Sequence, residues 1–401
     1  MVIAGEASGD VLAAELVEAL RVELQSTPPT ETADRQPLRT GLAPQFFGAG
    51  GPRLQAAGVQ LAFDLTAHAI VGLAEALRDY LKFKRFFGQL LRLALERQPD
   101  VILLVDFSGF NRRFAGAIQR CVRARSGPFR NWRPRIVYYV SPQVWASRPG
   151  RALALACDVD LLLSIFPFEK AWYARRVPCL RVEFVGHPLV DRYGSVARWP
   201  ATVAGQSAVP LVLLLPGSRV AELRRHLPVL LTAAKQLAAQ LPVRFLMILP
   251  NEELLAQTRN QALSALPELQ IQAGGLAQAL AEADLAIAKS GTITLECACF
   301  GVPAVVFYKT SWPNFLVGRL GVTVSYLAMP NLLAGEMVYP EFIQNRATAG
   351  NIAREALHLL TNPHRRQTLK DKLARVVQSL GPPGAGQRAA RAILSLRIGM
   401  E

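Results

Sequence analysis

Short apolar runs bounded by glycine, proline and small polar residues recur along the chain, and between most of them apolar residues return at three- and four-residue spacing. The first pattern predicts buried strands; the second predicts amphipathic helices lying on a sheet. In the first half, strands are predicted at Val2–Ala4, Gln45–Gly48, Val101–Asp106, Arg135–Ser141, Asp160–Ile165 and Arg181–Gly186. A second series is predicted at Leu211–Leu215, Val243–Pro250, Leu269–Ala273, Asp284–Lys289 and Pro303–Tyr308. Apolar strands alternating with helices predict two parallel, doubly wound α/β sheets, one per half.

A chain of 401 residues with 51% hydrophobic composition exceeds one ordinary core and can bury two. The weakly patterned "GSVARWPATVAGQSAVP" separates the two series. The expected organisation is therefore a Rossmann-like domain over residues 1–193, a linker over 194–210 and a second Rossmann-like domain over 211–384. A helix over 385–401 is expected to pack back on the first domain. The polar stretch from Ser26 to Gln45 reads as a surface loop.

Charge changes the picture next. The 45 Lys and Arg outnumber the 30 Asp and Glu, giving +15, and only eight of the cations are lysine. That balance favours phosphate-bearing partners, unless it reflects only an arginine-rich genome. No recognisable nucleic-acid-binding module accompanies the charge, so no nucleic-acid partner is expected. No apolar run reaches the length of a membrane span and no signal-peptide pattern opens the chain, so a cytoplasmic protein is expected. The five cysteines are odd in number and scattered, which predicts reduced, buried thiols and no zinc site.

In doubly wound sheets ligands sit beyond the carboxyl ends of the strands. Five polar clusters fall there: "AGEASGD" with Glu6, Ser8 and Asp10, "VDFSGFN" with Asp106 and Asn111, "VSPQVWA" with Ser141, "LPGSRVAE" with Gly217, Ser218 and Arg219, and "KSGTITLE" with Ser290, Gly291, Thr292 and Glu296. His187 ends another strand in "GHPL", where a packing role weighs equally with a ligand contact. Two such edges facing each other across a cleft would form one site. At "SGT" a strand gives way to a helix that Ser290 or Thr292 can cap, with backbone N–H groups open to a phosphate. Glu296 then lies one turn in, where it either accepts hydrogen bonds from ribose hydroxyls or complements the helix dipole. Arg219 is either a bidentate diphosphate ligand or a surface arginine at a helix start. Glu222 is expected to pair with Arg219 or Arg225. Asp158 and Asp160 mimic a metal-binding spacing but precede their strand, on the wrong edge, so no metal is expected in the chemistry and no cofactor is implied.

The segment from Ile70 to Leu95 combines Phe83, Phe86 and Phe87 with Lys82, Lys84, Arg85 and Arg92 at helical spacing. It reads either as a core helix or as an amphipathic surface for acyl chains or a membrane, with Lys82, Phe83, Arg85, Phe86 and Phe87 making the contact.

Taken together, "GEASGD", "YVSPQVWA", "PFEKAWY", "VGHPLVD", "LPGSR", "SGTITLE" and "PNLLAGEMVYPEFIQ" resemble, nearly end to end, the lipid-A-disaccharide synthase family. The resemblance implies the GT-B architecture, two Rossmann-like domains facing across a cleft. It implies an inverting, metal-independent transfer from UDP-2,3-diacylglucosamine to 2,3-diacylglucosamine 1-phosphate with release of UDP, at the inner surface of the cytoplasmic membrane. Donor binding falls to Gly217, Ser218, Arg219, Ser290, Gly291, Thr292, Glu296 and Asn331, with Arg219 also acting on the leaving group. Ser8, Asp10, Asn111, Ser141 and His187 fall to the acceptor side. The chain departs from the family pattern at Gly109, where a second acidic residue is usual. Asp106 is then the expected base, with Glu6 in reserve. Another UDP-sugar enzyme, such as an N-acetylglucosaminyltransferase or a 2-epimerase, and a non-catalytic lipid- or nucleotide-binding relative are the alternatives.

Overall fold

The computed structural model describes residues 1–26, 44–68, 80–125, 127, 132–194 and 209–396. The chain divides into two compact units, one of Met1–Pro188 with the C-terminal residues from Pro382, the other of Leu189–Gly381. The division comes at Pro188, before the expected boundary at 193, because the helix Pro188–Tyr193 carries Tyr193 onto Glu296 and Phe300 of the second unit. Most of the expected linker lies outside the described residues, as does the polar loop after Ser26.

The first unit is built on a seven-stranded parallel sheet: β1 (Val2–Ala4), β2 (Phe47–Gly50), β3 (Gln60–Asp64), β4 (Val101–Val105), β5 (Arg135–Tyr139), β6 (Leu161–Ser164) and β7 (Arg181–Phe184). Their spatial order is β3-β2-β1-β4-β5-β6-β7, which reverses direction between β1 and β4. Central strands such as "VIA" and "VILLV" are buried on both faces, which only continuous apolar sequence tolerates. β3 was not expected from the sequence. It is an edge strand whose residues alternate between exposed and half-buried, so it lacks the apolar run that marked its neighbours. The helix Ala385–Leu394 packs against the first helix, Ala7–Ser26; Arg391 pairs with Glu23, and Arg388 donates to the carbonyl of Val185.

The second unit holds a six-stranded parallel sheet, β8 (Leu211–Leu215), β9 (Arg244–Leu249), β10 (Gln270–Ala273), β11 (Leu285–Lys289), β12 (Ala304–Tyr308) and β13 (Glu341–Ile343), in the order β10-β9-β8-β11-β12-β13. The reversal falls between β8 and β11. β13, three residues inside "YPEFIQ", was also missed for its brevity.

The helix read from Ile70 to Leu95 is described only in part, and two other expectations need correction. The helix read from Ile70 begins, among the described residues, at Tyr80 and runs to Arg97; residues 69–79 lie outside the described residues. Phe83, Phe86 and Phe87 are half-buried and face inward: Phe86 stacks on Phe63 at 4.4 Å, Phe83 meets Phe107 at 6.3 Å, and Phe87 meets Phe110 and Phe114. Core packing, the first of the two readings, claims the rings, while Lys82, Lys84 and Arg85 remain exposed. The cysteines are not uniformly buried, since Cys157 and Cys179 are exposed.

Candidate functional site

Each sheet has its reversal of strand order, and at both the carboxyl ends carry the predicted polar residues. In the first unit, β1 delivers Gly5 and Glu6, and β4 delivers Asp106 and Phe107. Asp106 and Phe107 both take left-handed backbone, with φ of 50° and 46°. Non-glycine residues hold that conformation where surroundings fix it. Here Tyr138 Oη donates to the Asp106 carbonyl at 2.6 Å, Asn111 Nδ2 donates to the same oxygen at 2.9 Å, and the Asp106 N–H donates to Tyr139 O. The Phe107 ring lies over Gly5, where a Cβ would come within 2.2 Å of it, so only glycine fits.

The twist aims the Asp106 carboxylate into a partly desolvated spot. Burial first, and the charge of Glu6 second, raise its pKa from 3.8 to about 6, against a lowering hydrogen bond from Phe107 N–H. Glu6 and Asp106 thus lie near enough for their charges to interact. Gly109, in the first turn of the helix Ser108–Arg125, has open space around it.

Other acceptor-side candidates serve the scaffold. Asp10 is buried and its carboxylate accepts from the N–H groups of Gly51, Arg53 and Leu54 at 2.7, 2.9 and 3.2 Å, capping the helix Pro52–Ala56. Asn111 is fully buried and braces the Asp106 turn. Ser141 is buried against Tyr173, to whose hydroxyl it donates at 3.1 Å, and His187 is buried against the Phe166 ring. These three do not line an open edge. Ser8 is exposed at the start of the first helix. Beneath Ser141, Glu169 accepts from Trp145 Nε1 at 2.9 Å, so "SPQVWA" and "PFEK" interlock; burial raises that carboxyl to about 7.

In the second unit β8 runs into Pro216, Gly217, Ser218 and Arg219, and the helix Val220–Ala238 follows. Gly217 has φ of 129°, and a Cβ there would meet Glu222 Oε2 at 2.6 Å. Glu222 accepts from Ser218 N–H at 3.2 Å and pairs with Lys289 Nζ at 2.8 Å, not with Arg219 or Arg225 as expected. Burial alone would raise the Glu222 carboxyl, but Lys289 outweighs it and the pKa falls. The pair ties the end of β8 to the end of β11, and Lys289 adds a cation beside the "SGT" turn that sequence reading passed over. His226 was also missed. It is fully buried, its Nδ1 lies 2.9 Å from Pro216 O, and its Nε2 accepts from Lys309 N–H at 3.1 Å. Burial lowers its pKa, so a neutral ring clamps the "LPGSR" loop to the end of β12. Arg219 itself is exposed at the helix start.

The "SGT" turn differs from expectation in detail. Neither Ser290 nor Thr292 caps the helix Ile293–Cys299: Ser290 Oγ donates to Leu327 O at 2.9 Å, and Thr292 makes no side-chain cap. Gly291, at φ 154°, passes close to Lys289. Glu296 sits one turn in, half-buried, and accepts from Tyr193 Oη at 2.6 Å. Burial raises its pKa, opposed by Tyr193 and Arg192. Asn331 is not a ligand group, for all of its capacity is used internally. It donates to Tyr339 O and Glu341 and accepts from Val338 N and Tyr339 N. Asn331 fixes the "PNLLAG" helix, Met329–Ala334, to the segment entering β13.

Among the described residues no three His, Cys, Asp or Glu side chains cluster as metal ligands. Asp160 lies at the amino edge of its sheet, accepting from Ile136 N–H at 2.7 Å and pairing with Arg135.

A sequence model of the family described as "Lipid-A-disaccharide synthetase" matches residues 1–393. The chain belongs to this family. A lipid-A-disaccharide synthase of Syntrophus aciditrophicus is 36% identical over 401 residues, which cover 99% of this chain and 97% of that protein. Similarity in fold reaches beyond lipid-A-disaccharide synthases. A UDP-GlcNAc 2-epimerase from Neisseria meningitidis, solved bound to UDP-GlcNAc, superposes with a TM-score of 0.57 at 13% identity, over 96% of this chain and 97% of its own. The calicheamicin glycosyltransferase CalG4 superposes with a TM-score of 0.54 at 14% identity, covering 99% and 98%. These neighbours share the two-sheet α/β fold of GT-B glycosyltransferases, and the lipid-A-disaccharide synthase family places this chain among the glycosyltransferases.

Proposed function

We propose that this protein joins UDP-2,3-diacylglucosamine to 2,3-diacylglucosamine 1-phosphate, forming a β-1,6-linked disaccharide 1-phosphate and UDP, with inversion and without a metal. The observation that carries the reading is the family match along nearly the whole chain. The chemistry is supported by the two edges. The second unit binds UDP: Arg219 and Lys289 supply positive charge to the diphosphate, and Glu296, with one carboxylate oxygen engaged by Tyr193, accepts from the ribose. As the glycosidic bond to the donor breaks, charge gathers on the diphosphate, and fixed cations stabilise it. The first unit holds the acceptor, and Asp106 takes the proton of its primary hydroxyl. A carboxyl with a pKa of about 6 is ionised at neutral pH yet basic enough to accept that proton. The protein works at the inner face of the cytoplasmic membrane, where exposed Leu81, Lys82, Lys84 and Arg85 make the contact in place of the inward-facing phenylalanines. No helix among the described residues is long and apolar enough to cross a membrane.

The test is incubation with both diacylglucosamine substrates and mass spectrometry of the products. A disaccharide 1-phosphate formed in step with UDP is expected. Epimerised UDP-sugar without disaccharide, or no turnover of either substrate, would refute the proposal.

A further inference from the structure

The helix Ser108–Arg125 begins two residues after Asp106 and carries Arg112 and Arg113 in its second turn. Packed against it is the helix Arg151–Asp158, which Arg148 and Arg151 introduce after β5. Between the helices lies a small cavity of about 90 Å³ whose lining includes Arg112, Arg113, Ala154, Leu155 and Asp158. Arg112 and Arg113 line the cavity, and Arg148 and Arg151 stand where the packed helix begins, within range of their charges, so four guanidinium groups gather where the two helices start. Arg112 is near enough to Tyr138 to act on its hydroxyl, and that hydroxyl donates to the Asp106 carbonyl.

The cluster has fewer counter-ions than such density ordinarily carries. Among the described residues none of Arg112, Arg113, Arg148 and Arg151 makes a side-chain hydrogen bond or an ion pair. One acid, Asp158, lines the cavity with Arg112 and Arg113; it closes the helix that Arg151 opens, burial raises its pKa, and Arg123 and Arg120 are the cations that act on it. Burial first, and then the charges of Arg112, Arg148 and Arg113, lower the pKa of Arg151, so the neighbouring guanidiniums repel it. Four like charges against a single carboxylate that pairs with none of them repel one another, and a dianion among them would relieve the repulsion.

We infer that Arg112, Arg113, Arg148 and Arg151 form a binding site for a phosphate monoester, the 1-phosphate of the acceptor sugar. The assignment rests on the acceptor proposed above. It gives the acceptor two anchors in one unit, its phosphate on the arginines and its hydroxyl at Asp106. The same chemistry would fit the headgroup of a phosphatidic acid, so the experiment separates the two sources.

Water-soluble glucosamine 1-phosphate and unphosphorylated glucosamine are titrated calorimetrically into the full chain and into the variants Arg148→Ala, Arg151→Ala and Arg120→Ala. Vesicles of phosphatidylcholine with and without phosphatidic acid are assayed by sedimentation. The expected result is binding of glucosamine 1-phosphate but not glucosamine, weakened about tenfold or more by Arg148→Ala or Arg151→Ala and unchanged by Arg120→Ala. Removing one of four repelling charges should also leave the melting temperature equal or higher, which a purely structural arginine would not do. Should a variant melt lower, Arg148→Gln and Arg151→Gln replace it, and the same loss of affinity is required of them. Unchanged affinity in these variants, or equal binding of glucosamine, overturns the site. Weaker vesicle binding with intact glucosamine 1-phosphate affinity overturns the substrate assignment in favour of a lipid headgroup. Because binding is read without turnover, absence of disaccharide synthesis would count against the proposed reaction and leave this result standing.

Discussion

Asp106→Asn should make the protein a poorer enzyme and a more stable fold, with the second effect controlled by pH. Asparagine tolerates left-handed backbone at least as well as aspartate, so φ of 50° is no obstacle, and the bonds from Tyr138 and Asn111 reach the backbone carbonyl rather than the side chain. What the substitution removes is a charge that burial and Glu6 disfavour. A pKa raised from 3.8 to about 6 corresponds to an upper bound of about 3 kcal/mol. Asp106 keeps some contact with solvent, which reduces the expected figure to about 2 kcal/mol. Because the folded pKa lies above the unfolded one, this site's stability is fully present below the unfolded value and is lost as pH rises through about 6. Wild type therefore loses at this position what the variant keeps. Melting or urea unfolding should show the variant more stable at pH 8, with most of the gap closed at pH 4.5. In the same preparations turnover should fall about a hundredfold or more with UDP affinity intact, and wild-type turnover should rise with pH through about 6. A stability gap equal at both pH values would refute the desolvated carboxylate. Retention of more than about a tenth of turnover would refute the base.

Arg219→Ala should lower turnover about a hundredfold without loss of fold, since the residue is exposed and one leaving-group cation disappears; near-normal turnover removes it from the chemistry. Glu296→Gln should weaken UDP binding about tenfold in titration calorimetry, because a neutral amide accepts less strongly from ribose hydroxyls; unchanged affinity would assign Glu296 to Tyr193 and the helix alone. Activity should persist in excess EDTA. Loss restored by magnesium or manganese would replace Arg219 and Lys289 with a metal at the diphosphate.

The sequence alone determined the class of fold and the strand ends that carry polar chemistry. Continuous runs such as "VILLV" and "LVLLL" can only be buried on both faces, and a parallel sheet is the structure that buries them. It also placed Glu6, Asp106, Arg219 and Glu296 at carboxyl ends, because local order fixes where a strand stops. β3 and β13 were not legible, one exposed along an edge and the other three residues long. Nor were partners distant along the chain. Asp10 was expected on the acceptor side, yet it caps a helix that begins 42 residues later at Pro52. The Lys289–Glu222 pair joins the end of β11 to a helix start 67 residues away, and His226 reaches across 83 residues to Lys309. Those contacts arise because parallel strands bring separate loops to one edge. The same is true of the four arginines: each is an ordinary cation in the sequence, and only the packing of two helices makes them a site.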